Sequence, residues 1–490
     1  LVTRGNQLVC ILISICLVSF KAYAIESTEA SGATLDSEKA TLRGEHKFDQ
    51  LTFTFGQENY VTERPLSLPA EYTEISAHIK ARTESDPLNG VLELGGSFST
   101  DVENYSNIEA PEAYLDWHTR WQSTSDSSDS TPMGVGIDIG RKKELWSYLD
   151  SEWALGLSQP LNKFDALRTT EQGLTGAFVG YEQGKFQVLA FASALFIPEQ
   201  GPSYQLQNGD FSSNSPWFQS PPSTLILFGK SRPVHYTLNT PAIGSIVNHL
   251  SGGGMIRYGG PHTDGFFAQL AFLKKPRNDL NLPFDGHLAL TGDTNFGDVT
   301  VYPKVVFHNF VAADVGYVGE NWAAILSGAA DISDPVDVDS TLTYQKIEPL
   351  YLMSPTVEYQ PWASEFWGPK IKISYLHSVG GDVSTVGPLA TNGNVFGARL
   401  NYREALSIAT QTRIVDAEKW KLDHGFRWIE ETAESGTILM TDLRLSLGVA
   451  WRITLSGDLL GSKQPETKTN TFISRFRGND RYAARVTYIF

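Results

Sequence analysis

The sequence predicts an all-β chain folded as a transmembrane antiparallel up-and-down β-barrel of about 18 strands, within about two either way. Three observations carry this. Apolar and polar residues alternate along most of the chain, the period of a strand with two unlike faces. No segment stays apolar over the ~18 residues that a membrane-spanning helix needs, the longest run being Val188 to Pro198. Where the alternation is clearest, the face opposite the apolar one carries arginine, as it does when lipid lies outside and water inside.

Residues 1–24 read as an export leader. Arg4 precedes the apolar stretch Leu8 to Phe20, which is too short to span a bilayer, and Ala22-Tyr23-Ala24 offers a cleavage site ahead of Ile25. Both cysteines, Cys10 and Cys16, fall inside it, so the exported chain is expected to carry neither disulfides nor thiolate metal sites. Residues 25–47 read as a flexible segment and 48–490 as the barrel. The net charge is −16, and loss of the leader with its Arg4 and Lys21 makes it more negative, which argues against a nucleic-acid partner. The charge is unevenly spread, because residues 370–490 hold 16 Lys/Arg against 12 Asp/Glu and so form a basic third of an acidic chain.

Strands are assigned from parity. Tyr482, Ala484, Val486, Tyr488 and Phe490 share one face, and Arg481, Arg485 and Thr487 take the other. Phe472 and Phe476 extend the apolar parity upstream, with Gly478-Asn479-Asp480 as a three-residue hairpin loop. Leu443 to Leu459 is too long for one span and is expected to form two strands joined by an odd turn near Trp451. The same alternation marks Leu51/Phe53/Phe55, Ile75/Ala77/Ile79, Ala113/Leu115/Trp117, Val135/Ile137/Ile139, Ile371/Ile373/Tyr375, Phe396/Ala398/Leu400/Tyr402 and Trp420/Leu422/Phe426/Trp428. Aromatics fall near the ends of these runs, as interfacial girdles do. Two long connections interrupt the rhythm, one over residues 141–172, expected to fold inward, and one over residues 199–251, expected to be extracellular.

The ending Tyr482-x-Ala484-x-Val486-x-Tyr488-x-Phe490 resembles the terminal strand of Gram-negative outer-membrane barrels. That resemblance implies that Tyr482, Val486, Tyr488 and Phe490 are read by the barrel-insertion machinery, and that the chain sits in the outer membrane among its lipids. A second likeness is to porin-type channels. Gly140-Arg141 leads into Trp146, Asp150, Trp153, Gly156, Pro160 and Asp165, and the chain re-enters a strand at Gly173-Leu174-Thr175-Gly176. It is similar to the strand and infolded loop of many porin-like barrels.

Parity sends most basic residues of the last third to the lumen. Lys372, Arg399, Arg403, Lys419, Lys421, Arg427, Arg444, Arg452, Arg475 and Arg485, with Lys370 and Arg413, are expected to form a basic wall, since each would be costly facing lipid. Asp150, Glu152 and Asp165 on the infolded loop are expected to face it across a constriction. A wall of Arg and Lys beside a water-filled path favours anions. The expected function is passive diffusion of small hydrophilic solutes, anions preferred, through an aqueous channel. The alternatives are export of an acidic polysaccharide and a structural or adhesive barrel plugged by its loops. No cofactor and no resident metal is expected. No nucleophile elbow, metalloprotease helix or phosphate loop is present, so an enzyme is not expected. Asp331, Asp334, Asp337 and Asp339 read as a solvated acidic loop. Lipid-facing strands would also serve as the contact faces of a homotrimer.

Overall fold

The computed structural model describes residues 45–62, 68–85, 88–121, 133–227, 230–291, 294–361, 369–390, 399–465 and 471–490. The leader, nearly all of the 25–47 segment, and Phe396 and Ala398 lie outside the described residues. Eighteen strands form one sheet: β1 Glu45–Tyr60, β2 Glu71–Ser85, β3 Leu88–Ser99, β4 Ser106–Trp121, β5 Met133–Lys142, β6 Leu174–Gln183, β7 Phe186–Ser193, β8 Ser251–Tyr258 and β9 Gly265–Pro276 in the first half. The second half is β10 Phe307–Val318, β11 Trp322–Ser333, β12 Leu350–Tyr359, β13 Lys370–Gly380, β14 Glu404–Ala417, β15 Trp420–Glu431, β16 Gly436–Leu447, β17 Trp451–Ser462 and β18 Arg481–Ile489. Each pairs antiparallel with its neighbour in sequence. β1 also pairs with β18, from Thr52 opposite Ile489 to Tyr60 opposite Arg481, which closes the barrel and leaves no free edge.

The outer face is apolar because the strands alternate. In β17, Trp451, Leu455 and Leu459 are exposed, while Arg452, Thr454, Ser456 and Asp458 point inward. The same split holds in β1, where Phe55 is exposed and Glu58 buried, and in β9, where Phe266, Leu270 and Phe272 are exposed while Phe267, Ala271 and Leu273 are buried. Such a band of apolar side chains around a closed sheet is a transmembrane surface. Short turns close one rim: Gly184-Lys185 between β6 and β7, Glu418-Lys419 between β14 and β15, and Gly448-Val449-Ala450 between β16 and β17. The last is the odd turn expected beside Trp451, with Gly448 left-handed at φ +59°. Exposed aromatics crowd this turn rim, among them Phe186, Tyr258, Phe266, Tyr317, Trp322, Tyr359, Trp420 and Trp451.

The opposite rim carries the long connections. Residues 194–250 between β7 and β8 are long, as expected. A second long connection, 277–306 between β9 and β10, was not expected from the sequence. The two combine into a sheet outside the barrel, in which Thr224–Leu227 pairs with Lys230–Leu238, Lys230–Leu238 runs parallel to Thr294–Val301, and Thr294–Val301 pairs with Phe284–Thr291.

Two expectations fail. The Phe472/Phe476 strand is instead a helical turn, α2 Phe472–Phe476, opened by a capping box in which Thr471 and Ser474 bond reciprocally. Residues 399–403 are not a strand. Leu400 and Tyr402 are buried inside the barrel and β14 starts only at Glu404. The first strand, β1, begins at Glu45.

Inside, the barrel has two tiers. Near the loop rim the inward positions turn apolar: Phe191 on β7, Leu273 on β9, Phe310 on β10, Leu350 on β12, Leu376 on β13, Ile429 on β15, Ile438 on β16 and Leu460 on β17. They pack around Trp146, Leu149 and Trp153 of the infolded segment, Trp217 of the 194–250 connection, Leu400 and Tyr402, and Phe472, Ile473 and Phe476 of α2. This is a hydrophobic core inside a membrane barrel, and β6 to β17 all line it. Toward the turn rim the inward positions of most strands are charged or polar, the exceptions being β9 and β11, where Phe267 and Ile325 pack with Tyr148.

Candidate functional site: a diaphragm and two charged cavities

The connection between β5 and β6 folds into the lumen. It contains helix α1 Tyr148–Trp153, capped by the Ser147 hydroxyl, which accepts the Asp150 N–H, and ended by Ala154 in the left-handed region at φ 47°. Gly140, at φ +134° two residues before the end of β5, lies so close to β4 that a Cβ there would be 2.2 Å from the Ala113 carbonyl oxygen. The segment is tied to the wall on many sides. Lys143 Nζ pairs with Glu93 at 3.2 Å on β3. Asn162 Nδ2 donates to Asn107 and Glu109 of β4, each at 3.0 Å. Arg257 of β8 donates to the Leu145 carbonyl at 2.9 Å, and the Tyr148 N–H donates to Asp314 of β10 at 3.1 Å. Trp153 Nε1 donates to Ser354 of β12 at 3.0 Å, and Arg168 pairs with Asp458 of β17 at 2.8 Å. The segment is a diaphragm across the barrel rather than a flap on one wall.

The three acids expected on this loop have three different places. Asp150 does not face the wall. It is 3% exposed and staples the loop to itself, accepting from the Leu157 N–H at 3.0 Å, the Ser158 N–H at 2.7 Å and the Ser158 hydroxyl. Glu152 does meet basic residues: Lys372 Nζ lies 2.6 Å away and Arg427 NH2 3.7 Å. Asp165 accepts from Arg481 NH2 at 2.5 Å.

The residues expected on the basic wall divide between strands and loops. Lys370 and Lys372 on β13, Arg413 on β14, Lys421 and Arg427 on β15, Arg444 on β16, Arg452 on β17 and Arg485 on β18 lie on inward parity. Four residues leave it. Arg399 sits in a loop-rim segment and pairs with Asp331, and Arg403 pairs there with Asp382. Lys419 is in a turn, and Arg475 is on α2. Parity can place a side chain only if the residue is in a strand, and these four are not. Asp331 also departs from the solvated loop assigned to it. It is fully buried on β11, where it accepts from His308 Nδ1 at 2.8 Å.

Two residues matter more than the sequence suggested. Arg168 on the diaphragm continues the basic surface. Arg481 is 3% exposed and reaches Asp458 at 2.7 Å, Asp165 at 2.5 Å and Glu58 at 3.4 Å, over the Trp217 ring at 5.3 Å. Its inward parity was legible, but its four partners come from distant parts of the chain.

Among the described residues, two cavities lie in the charged tier. One, of about 340 Å³, is lined by Arg168, Lys370, Lys372, Arg427 and Arg444 together with Asp423 and Asp442. The other, of about 450 Å³, is lined by Asp116, Asp138, Glu144 and Glu182 together with Lys142 and Arg257. The first belongs to β13–β16 and the second to β4–β8, so they lie on opposite walls. Basic residues predominate in one and acidic residues in the other, and a field crosses the lumen between them. His118 and Asp116, 3.5 Å apart, belong to the acidic cavity. The terminal residues Tyr482, Val486 and Phe490 are exposed on the outer face, and Tyr488 packs edge-on against Trp451 and Phe490 at 4.7 and 4.5 Å.

The diaphragm also holds a titrating group. Burial, reinforced by the nearby Asp150 charge, pushes the Glu171 carboxyl up to about 7, while Gln159 Nε2 donates to it at 2.8 Å. A carboxyl whose pKa is raised on folding stabilises the fold fully below its unfolded value, and that contribution is lost as pH rises through the folded value. Diaphragm stability is therefore expected to fall between about pH 4.5 and 7, read as hydrogen exchange of residues 143–172. Glu171→Gln, a mimic of the protonated form, is expected to flatten that dependence. An unchanged slope in the variant would refute the assignment.

No family model matches the chain, and no curated protein matches it. Solved structures do. The Salmonella typhi OmpF complex with daunomycin is 10% identical, covers 93% of this chain and 100% of its own, and superposes with a TM-score of 0.40. A BenF-like porin from Pseudomonas fluorescens Pf-5 is 8% identical, with 91% and 98% covered and a TM-score of 0.43. Pseudomonas aeruginosa OccK3 (OpdO) is 10% identical, with 91% and 95% covered and a TM-score of 0.43.

Proposed function

We propose that the protein is a porin-like channel of a Gram-negative outer membrane that passes small hydrophilic solutes, anions in preference, past an infolded diaphragm. The observation that carries this is the cavity of about 340 Å³ lined by five cationic and two anionic side chains at the foot of the diaphragm. An excess of one sign of charge around a recess concentrates the opposite ion. Lipid surrounds the apolar band, the barrel-insertion machinery is the expected partner of the last strand, and a homotrimer is the expected assembly.

A second reading is favoured by the apolar tier, namely a barrel plugged by its own core and serving a structural or adhesive role. The same tier counts against threading of an acidic polysaccharide, because a polymer needs an uninterrupted path. Single-channel recording of the refolded protein in a planar bilayer across a KCl gradient separates the readings. A small, steady, anion-biased conductance is expected, and a silent barrel would favour the plug. Reversing one wall charge shifts the energy of an anion relative to a cation nearby by about 0.5–1 kcal/mol, so Arg444→Glu is expected to lower the anion-to-cation permeability ratio roughly two- to fivefold. An unchanged reversal potential would remove the basic cavity from the pathway.

A further inference from the structure

The sheet outside the barrel encloses a cavity unlike those in the lumen. It measures about 410 Å³, and its lining includes Tyr204, Phe218, Tyr236, Leu282, Val299 and Pro303, with no charged side chain among the lining residues. The side-chain amides among the lining residues are Gln219 and Gln345, and Gln345 Oε1 already accepts the Leu282 N–H at 3.4 Å. Three connections contribute: 194–250, 277–306 and, through Gln345, 334–349. The walls are braced. Tyr204 stacks on Phe218 at 5.7 Å and 23°, Phe211 meets Tyr236 edge-on at 5.4 Å, and the Tyr236 hydroxyl donates to the Pro222 carbonyl at 2.6 Å. Tyr236, Phe284 and Val299 of the lining join Val234 in a small core of their own.

Apolar walls held apart around a hollow forfeit the contacts that collapse would give them. The volume lies in the range of small-molecule sites, about 300–1,000 Å³, which are mostly apolar with a few polar groups that set orientation. A peptide is a poor occupant, since its backbone groups would need partners that two amides cannot supply. An anion is poorer still, with no cation in the lining. Ring faces and proline edges suit a flat neutral molecule. We propose that this cavity binds a neutral, ring-containing apolar small molecule on the loop side of the barrel, at a site separate from the charged lumen.

The test uses the full chain in lipid nanodiscs with benzophenone, a neutral two-ring ketone that photolabels the C–H bonds it contacts. Peptide mapping after irradiation is expected to show saturable labelling on residues 204–238 and 280–303, displaced by naphthalene and not by benzoate. Leu282→Arg, at an exposed lining position, is expected to cut that labelling severalfold while the folded barrel keeps its resistance to unfolding on a gel. Labelling that rises linearly with concentration and spreads over the lipid-facing strands would overturn the proposal. So would labelling that survives Leu282→Arg, and displacement by decane rather than naphthalene would reassign the cavity to acyl chains.

Discussion

Arg481→Met is expected to destabilise the barrel by about 3–5 kcal/mol, the largest loss of any single change on the inner wall. The guanidinium is buried and carries Glu58, Asp165 and Asp458 on one planar head, and Arg485 supplies a second cation to Glu58. Methionine retains the bulk and removes the charge, so Asp458 keeps only Arg168 and Asp165 loses its charged partner. Stranded buried carboxylates cost far more than a lost surface pair. Lysine cannot rescue fully, because a point charge with three donors does not reproduce a fork that reaches three acids. Urea titration of the protein in detergent, followed by tryptophan emission, reads the loss. A shift below about 1 kcal/mol would mean that water reaches the cluster and screens it.

Much of this fold was legible because lipid imposes a simple rule on each strand. Trp451, Leu455 and Leu459 had to alternate with Arg452, Ser456 and Asp458, and the three-residue turn at Gly448 followed from keeping parity on both sides of it. The rule failed where its premise did. Phe472 and Phe476 are four apart, a spacing shared by a strand face and a helical turn, and the capping pair Thr471 and Ser474 was the signal that decides between them. Arg399, Arg403 and Arg475 were placed by parity in segments that are not strands.

The apolar tier was also written in the chain. β9 reads Phe266-Phe267-Ala268-Gln269-Leu270-Ala271-Phe272-Leu273, apolar on both faces, and the run from Val188 to Pro198 covers the end of β7. A strand apolar on both faces is buried on both faces. In a membrane barrel that means lipid outside and a packed filling inside. What no sequence pattern could give is which distant segments supply the filling, or that Asp150 would close on Leu157 and Ser158 rather than face a wall.

Trp153→Gly tests whether that filling governs passage. Trp153 is 1% exposed, donates to Ser354, meets Tyr402 edge-on at 5.9 Å and lies under Arg427 at 5.9 Å. Removing it deletes the joint between the diaphragm, the apolar core and the basic wall, at a local cost of about 3–5 kcal/mol. The barrel itself is held by its closed ladder of backbone bonds, so the loss should appear as loosening of residues 143–172 rather than as unfolding of the sheet. Single-channel conductance is expected to rise severalfold with larger current fluctuations, because a diaphragm that opens part of the time leaves a wide 18-stranded lumen behind it. Trp420→Gly, a change at an exposed tryptophan on the turn rim, is the control and should leave conductance where it was. Equal conductance in Trp153→Gly and wild type would mean that solutes bypass the diaphragm. Silence in both would mean that the core of Phe310, Leu376, Ile429 and their neighbours seals the barrel without it.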